Sequence, residues 1–150
     1  MAEVLFYHLT DDTFDQVLPN LIARSRERGW RVVVRGGSDE RIAALDSLLW
    51  TYSEESFLAH GLASDPHPET QPVLLTTDDA RPNAAEVLFL LDSAPLPEDW
   101  SGLTRVVVMF PENDNEAKQF ARGQWKIIRD SEHEGTYWQQ DETGRWIKKA

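Results

Sequence analysis

The sequence predicts an α/β three-layer domain with a mostly parallel sheet and a C-terminal β-hairpin. Three observations carry this. Strand signals rich in Val and Leu recur along the chain, several as continuous apolar runs, which suits strands covered on both faces. Amphipathic helical segments alternate with them, implying right-handed crossovers. The 150 residues fit one domain, 1–150, large enough for a real core.

Strand signals fall at residues 4–8, 30–35, 73–76, 86–91 and 105–110. Between the first two, residues 12–28 carry Phe14, Val17, Leu18, Leu21 and Ile22 on one helical face, with Pro19 weakening or kinking the early turns. Residues 38–52 carry Ile42, Ala43, Leu45, Leu48 and Leu49, with Ser38 or Asp39 as N-cap. Residues 63–71, with Pro66 and Pro68, read as a loop, and 78–83 as a turn region. A third helix covers 115–129, capped by one of residues 113–115. Tyr137 and Trp138, then Asp-Glu-Thr-Gly144, then Trp146 and Ile147 read as a terminal hairpin turning at Gly144.

Composition narrows the function classes. No apolar run is long enough for a transmembrane helix, and the N-terminus lacks the marks of a signal peptide, so a cytoplasmic protein is expected. Zero cysteines exclude disulfides and thiolate metal sites. A net charge of -11 argues against direct, non-specific DNA binding, which needs excess Lys and Arg facing phosphates. Positive charge is nonetheless local, because all four lysines lie in the last 33 residues.

The sequence offers no persuasive active site. His8, His60, His67 and His133 are scattered without metal-ligand spacing, and no serine sits in a G-x-S-x-G elbow. His67 reads as solvated loop and His133 as part of the terminal hairpin. The pairs Asp11-Asp12, Glu54-Glu55 and Asp78-Asp79 fit helix ends and turns better than a metal site. Gly36-Gly37-Ser38 follows a strand and opens a helix, where phosphates often sit, but it completes no phosphate-binding motif. No catalytic residue, metal or cofactor is therefore expected. A nucleotide-binding or hydrolytic domain built on Gly36, Gly37 and Ser38 is the alternative.

The third helix says more. At 100° per residue, Ala117, Phe120, Ala121, Gln124, Ile127 and Ile128 fall on one side and should pack inward. Lys118, Arg122, Lys126 and Arg129 gather on the other, within roughly 80° of arc. Trp125 falls beside that stripe and not with the core. Glu116, two residues before Lys118, does not face it, so no i, i+4 ladder absorbs the charges. A cationic stripe carrying an aromatic fits an acidic ligand that ends in an apolar group. A second candidate surface begins at the end of the second helix, where Trp50, Phe57, His60 and Leu62 offer apolar groups suited to a protein partner.

At these residues the chain resembles the chi subunit family of bacterial DNA polymerase III holoenzyme, clamp-loader accessory proteins. Phe6-Tyr-His-Leu9 resembles the family's opening strand. Leu45-Asp-Ser-Leu-Leu-Trp50, followed by Glu55-Ser-Phe57-Leu-Ala-His60-Gly-Leu62, is similar to its Leu-Trp then Ser-Phe-x-x-His-x-Leu pattern. Lys118-Gln-Phe-Ala-Arg122-x-x-Trp125-Lys126 is similar to its C-terminal helix, where Tyr is common at the aromatic position. The resemblance implies a Rossmann-like fold and no catalytic activity of its own. It implies an adaptor linking the clamp loader, through the psi subunit, to single-stranded-DNA-binding protein, with nucleic acid contacted only indirectly and no membrane. Lys118, Arg122, Trp125 and Lys126 would bind that protein's acidic C-terminal tail, which ends in an apolar residue and a free carboxylate. Arg129 joins them on helix geometry alone. Trp50 and Phe57, with His60 and Leu62 in the same motif, would face psi or a competing helicase-like repair protein. The tail from Gly135 to Ala150 is longer than the family pattern.

Overall fold

The computed structural model describes residues 2–9, 14–51, 59–141, 143 and 145–150. Eight strands form one sheet: β1 (Glu3–Leu9), β2 (Val32–Arg35), β3 (Gly61–Leu62), β4 (Val73–Thr76), β5 (Val87–Leu90), β6 (Arg105–Pro111), β7 (Glu134–Gln140) and β8 (Trp146–Lys148). Their spatial order is β3-β4-β2-β5-β6-β1-β7-β8. Every pairing is parallel except β7 with β8. The α-helices among the described residues are α1 (Phe14–Glu27), α2 (Asp39–Thr51) and α3 (Asn115–Arg129).

The apolar runs are central because both faces of the sheet are covered. Val32 and Val34 point to a core shared with Val17, Leu18 and Ile22 of α1 and Ile42, Leu45 and Leu49 of α2. Val33, between them, points to the opposite core, with Ala117, Ala121 and Ile128 of α3. Helices α1 and α2 thus lie on one face and α3 on the other, completing three layers.

Local chemistry fixes the ends. Gly29 takes φ 80° just after α1, a left-handed turn that glycine adopts without a Cβ clash. The Ser38 hydroxyl accepts from the Arg41 N–H at 3.1 Å and starts α2. The Asp114 carboxylate accepts from the Ala117 N–H at 3.0 Å and starts α3. Pro19 stays inside α1 without ending it. The hairpin turn is held by the Asp141 carboxylate, which accepts from the N–H groups of Thr143 and Arg145.

Several expectations are corrected. The two-residue strand β3 and a 3-10 turn at Pro68–Thr70 interrupt what reads as loop. Such short pieces carry no periodicity to detect. The hairpin is no appendage: β7 joins the sheet alongside β1. His133 precedes β7 instead of lying on the hairpin. It accepts the Ala2 N–H at 3.0 Å and stacks on Trp100, anchoring the start of the chain. Ala43 is exposed, not part of the inward face of α2. Phe57, Glu54-Glu55, Asp11-Asp12 and Gly144 lie outside the described residues.

Candidate functional site

The basic helix lies over β1 and β7 with its charged flank outward. Alternation along β1 turns Phe6 and His8 toward α3, and alternation along β7 turns Tyr137 the same way. Trp125 closes over this floor, edge-on to Phe6 at 5.4 Å and to Tyr137 at 5.9 Å between ring centroids. A Cβ on Gly135 would come within 3.2 Å of the Trp125 ring, so β7 approaches the indole closely there.

This corrects the helical-wheel reading. Trp125 is half-buried against the core, not merely beside the stripe. Phe120 and Ile127, expected inward, are 41 % and 61 % exposed. The cause is the size of the packing residues. Ala117 and Ala121 let the helix approach closely, and the large indole then fills the space over Gly135. The helix is rolled toward Trp125, which lifts the opposite flank off the sheet. Gln124 stays inside because its amide donates to the Ala94 carbonyl at 3.0 Å.

Arg122, Lys126 and Arg129 are exposed, and none forms an ion pair among the described residues. Lys118 differs. Its ammonium meets the Glu112 carboxylate at 3.0 Å, a partner supplied by the end of β6 and not by the helix. Glu112 also contacts His8 Nε2, and the Tyr137 hydroxyl lies 3.0 Å from His8 Nδ1. A neutral His8 satisfies both, donating through Nε2 and accepting at Nδ1. Burial pushes the His8 pKa below its ordinary value, with smaller help from the charges of Lys118 and Arg122. Burial raises the Tyr137 hydroxyl, which Arg122 partly offsets. The hydrogen bond from Lys118 holds the Glu112 carboxyl below its usual range. His8, Glu112 and Tyr137 were missed from the sequence. They come from β1, the turn just after β6, and β7, and only strand order brings them together.

The second candidate surface lies at the far edge of the sheet. Trp50 is 50 % exposed on the last turn of α2. Its ring lies 4.5 Å from that of His60, which is 7 % exposed and pairs with Asp46 at 2.9 Å. Leu62 is partly buried against the core. His60 and Leu62 therefore support the surface from beneath, and Trp50 is the exposed member of the described three. Five strand spacings separate β3 from β1, about 24 Å at about 4.8 Å each.

The Gly36-Gly37-Ser38 turn already holds a carboxylate. The Gly37 N–H donates to Asp92 at 3.0 Å, and Arg41 grips the same carboxylate through two nitrogens at 2.8–3.2 Å. A phosphate would have to displace this pair. Among the described residues, no cluster of His, Asp and Glu could hold a metal ion. No described helix is long and apolar enough to cross a membrane.

Residues 1–136 match the family model described as DNA polymerase III chi subunit, HolC. The chain belongs to this family. It is 26% identical over 136 residues to the DNA polymerase III subunit chi of Escherichia coli (strain K12), covering 86% of this chain and 92% of that one. It is 30% identical over 91 residues to the probable DNA polymerase III subunit chi of Rickettsia prowazekii (strain Madrid E), covering 61% of this chain and 55% of that protein, so the match spans about half its length. In fold it is similar to the S. cerevisiae Dbp5 C-terminal domain, solved with Gle1 and IP6. The TM-score is 0.54 at 9% identity, over 91% of this chain and 90% of that one. That likeness concerns the α/β architecture alone. Family membership supports an accessory role in DNA replication and association with the polymerase assembly. The chi motif at Trp50 and the basic helix at Arg122 both lie within the matched residues, whereas Trp138 and Trp146 lie beyond them.

Proposed function

We propose that this chi protein is a non-catalytic adaptor with two docking surfaces. The α3 face takes the acidic C-terminal tail of single-stranded-DNA-binding protein, and the Trp50 surface takes psi or a helicase-like partner. The observation that carries the reading is the row Arg122, Lys126 and Arg129 on α3, without acidic partners among the described residues, beside a tryptophan held against the core. Arg122 is suited to a forked pair with the tail's terminal carboxylate, and Trp125 offers its exposed edge to the terminal apolar side chain. Lys126 and Arg129 attract the acidic residues that precede it. Lys118 contributes once Glu112 releases it. Contact with DNA is indirect, in keeping with a net charge of -11. Joining two partners through one small body raises their effective concentration for each other.

The test is a titration of a fluorescent peptide of the cognate tail against wild type and Arg122→Ala, at low and moderate salt. Saturable binding that fades with salt and is lost in the variant supports the reading. A folded wild-type protein that ignores the peptide removes it. The nucleotide-binding alternative is checked with the same samples. ATP or NAD should leave the melting temperature unchanged, and a rise would revive that alternative.

A further inference from the structure

Strand alternation gives β1 and β7 a second aromatic face, opposite α3. Tyr7 and Trp138, partners in register, point to the α1 side, and Trp146 of β8 packs edge-on against Tyr7 at 4.9 Å. Together with Val17, Leu21 and Arg24 of α1 they enclose a hollow of about 300 Å³, within the size range of ligand pockets. A smaller hollow of about 110 Å³ adjoins it along α1, shares Tyr7, Leu21 and Arg24, and adds Arg28 and Arg105. Arg105 is paired with Glu3. Arg24 and Arg28 are exposed and form no ion pair among the described residues. Arg28 rests on the Trp30 ring at 4.9 Å to its centroid, so on a chain of net charge -11 it is Arg24, beside the aromatic hollow, whose charge has no counterpart among the described residues.

We infer that the groove between α1 and the β7–β8 hairpin is a second docking site, for an extended acidic peptide carrying an aromatic side chain between two acidic ones. The groove has a cationic wall and an aromatic wall. Arg24 stands in the last turn of α1 and Arg28 just past its end, its N–H donating to the Arg24 carbonyl at 3.3 Å, so the two are about 6 Å apart along the axis. Alternate side chains of an extended peptide are about 6.7 Å apart and share one side. Two acids at i and i+2 therefore meet the two arginines while the residue between them turns toward Trp138 and Trp146. A nucleic acid fits less well. The Tyr7 and Trp146 rings meet at 78° and present no parallel slot for a base. The acidic body also repels a long polyanion. Trp138 and Trp146 lie beyond the family-matched residues, and the groove lies on the sheet face opposite the tail site on α3.

The probe is a fluorescent peptide Asp-Phe-Asp-Phe-Asp with both ends blocked, which removes the free carboxylate proposed to engage α3. Wild type should bind it saturably. Arg24→Glu should weaken binding roughly tenfold, as loss and reversal of one charge contact implies. Arg122→Glu should leave it unchanged. Because Arg24 is exposed, the variant should melt with wild type, and Arg24→Gln repeats the test without a reversed charge. Failure of folded wild type to bind overturns the inference. So does equal weakening by Arg122→Glu, or stronger binding of a thymidine oligonucleotide that displaces the peptide. The tail site itself is tested separately, with a different peptide.

Discussion

The two proposed docking surfaces, the face of α3 and the end of α2, are built differently. On the charged flank of α3 the exposed groups are long cations, and Trp125 beside them is held down by Phe6 and Tyr137. At the end of α2 the aromatic itself is exposed, and the polar groups His60 and Asp46 lie beneath it. The first surface is built for a charged ligand and should respond to salt. The second is built for apolar burial and should not. They occupy opposite faces and distant strands of one sheet, so one partner need not exclude the other.

The sharpest break of this comparison is Arg122→Ala. It should cost tail binding about 2 kcal/mol, roughly thirtyfold, while capture of psi or another Trp50 partner stays intact. Equal loss on both surfaces would mean the two are not separate. The converse is Trp50→Ala, expected to cost about 2 kcal/mol in psi binding measured by calorimetry, with tail affinity unchanged. A third change sharpens the α3 surface alone. Glu112→Gln frees Lys118, and tail affinity at low salt should rise about twofold to threefold, the scale of one exposed ion pair. Weaker binding would show that Glu112 positions Lys118 instead of competing for it.

The smallest effect concerns pH. Burial depresses the His8 pKa, so the folded state resists a proton that the unfolded chain accepts. Its contribution to stability is complete above the unfolded value of 6.5 and is lost as pH falls below that value through the folded pKa. Glu112 is also depressed, by its Lys118 hydrogen bond, and its contribution is present above 4.5 and lost as pH falls through its folded pKa. Thermal melts between pH 7 and 5 should therefore show a slope that His8→Gln flattens. A slope unchanged in that variant would place the titrating group elsewhere.

Much of the fold was legible because its signals are local. The runs Val32–Arg35, Val73–Thr76 and Val87–Leu90 are short and rich in Val and Leu, and all three are largely buried strands. The cap of α3 falls within the expected triplet, and its cations fall on one flank. The wheel for α3 failed at Phe120, Trp125 and Ile127. A wheel counts hydrophobicity and knows nothing of how closely a helix with Ala117 and Ala121 can approach a strand carrying Gly135. The motif groups His60 with the exposed Trp50, but its partner Asp46 lies on the preceding helix and His60 is buried.

The alternation of strands and helices, the family, and the placing of positive charge along the chain are all legible in the residues alone. Periodicity, capping and side-chain chemistry are properties of neighbours along the chain. Only the tertiary structure decided that Glu112 holds Lys118 and that His8 and Tyr137 lie under the basic face. It also decided that β7, set beside β1, turns Tyr137 to one face and Trp138 to the other. Strand order is fixed by burial of both sheet faces at once, a condition that no short window of sequence contains.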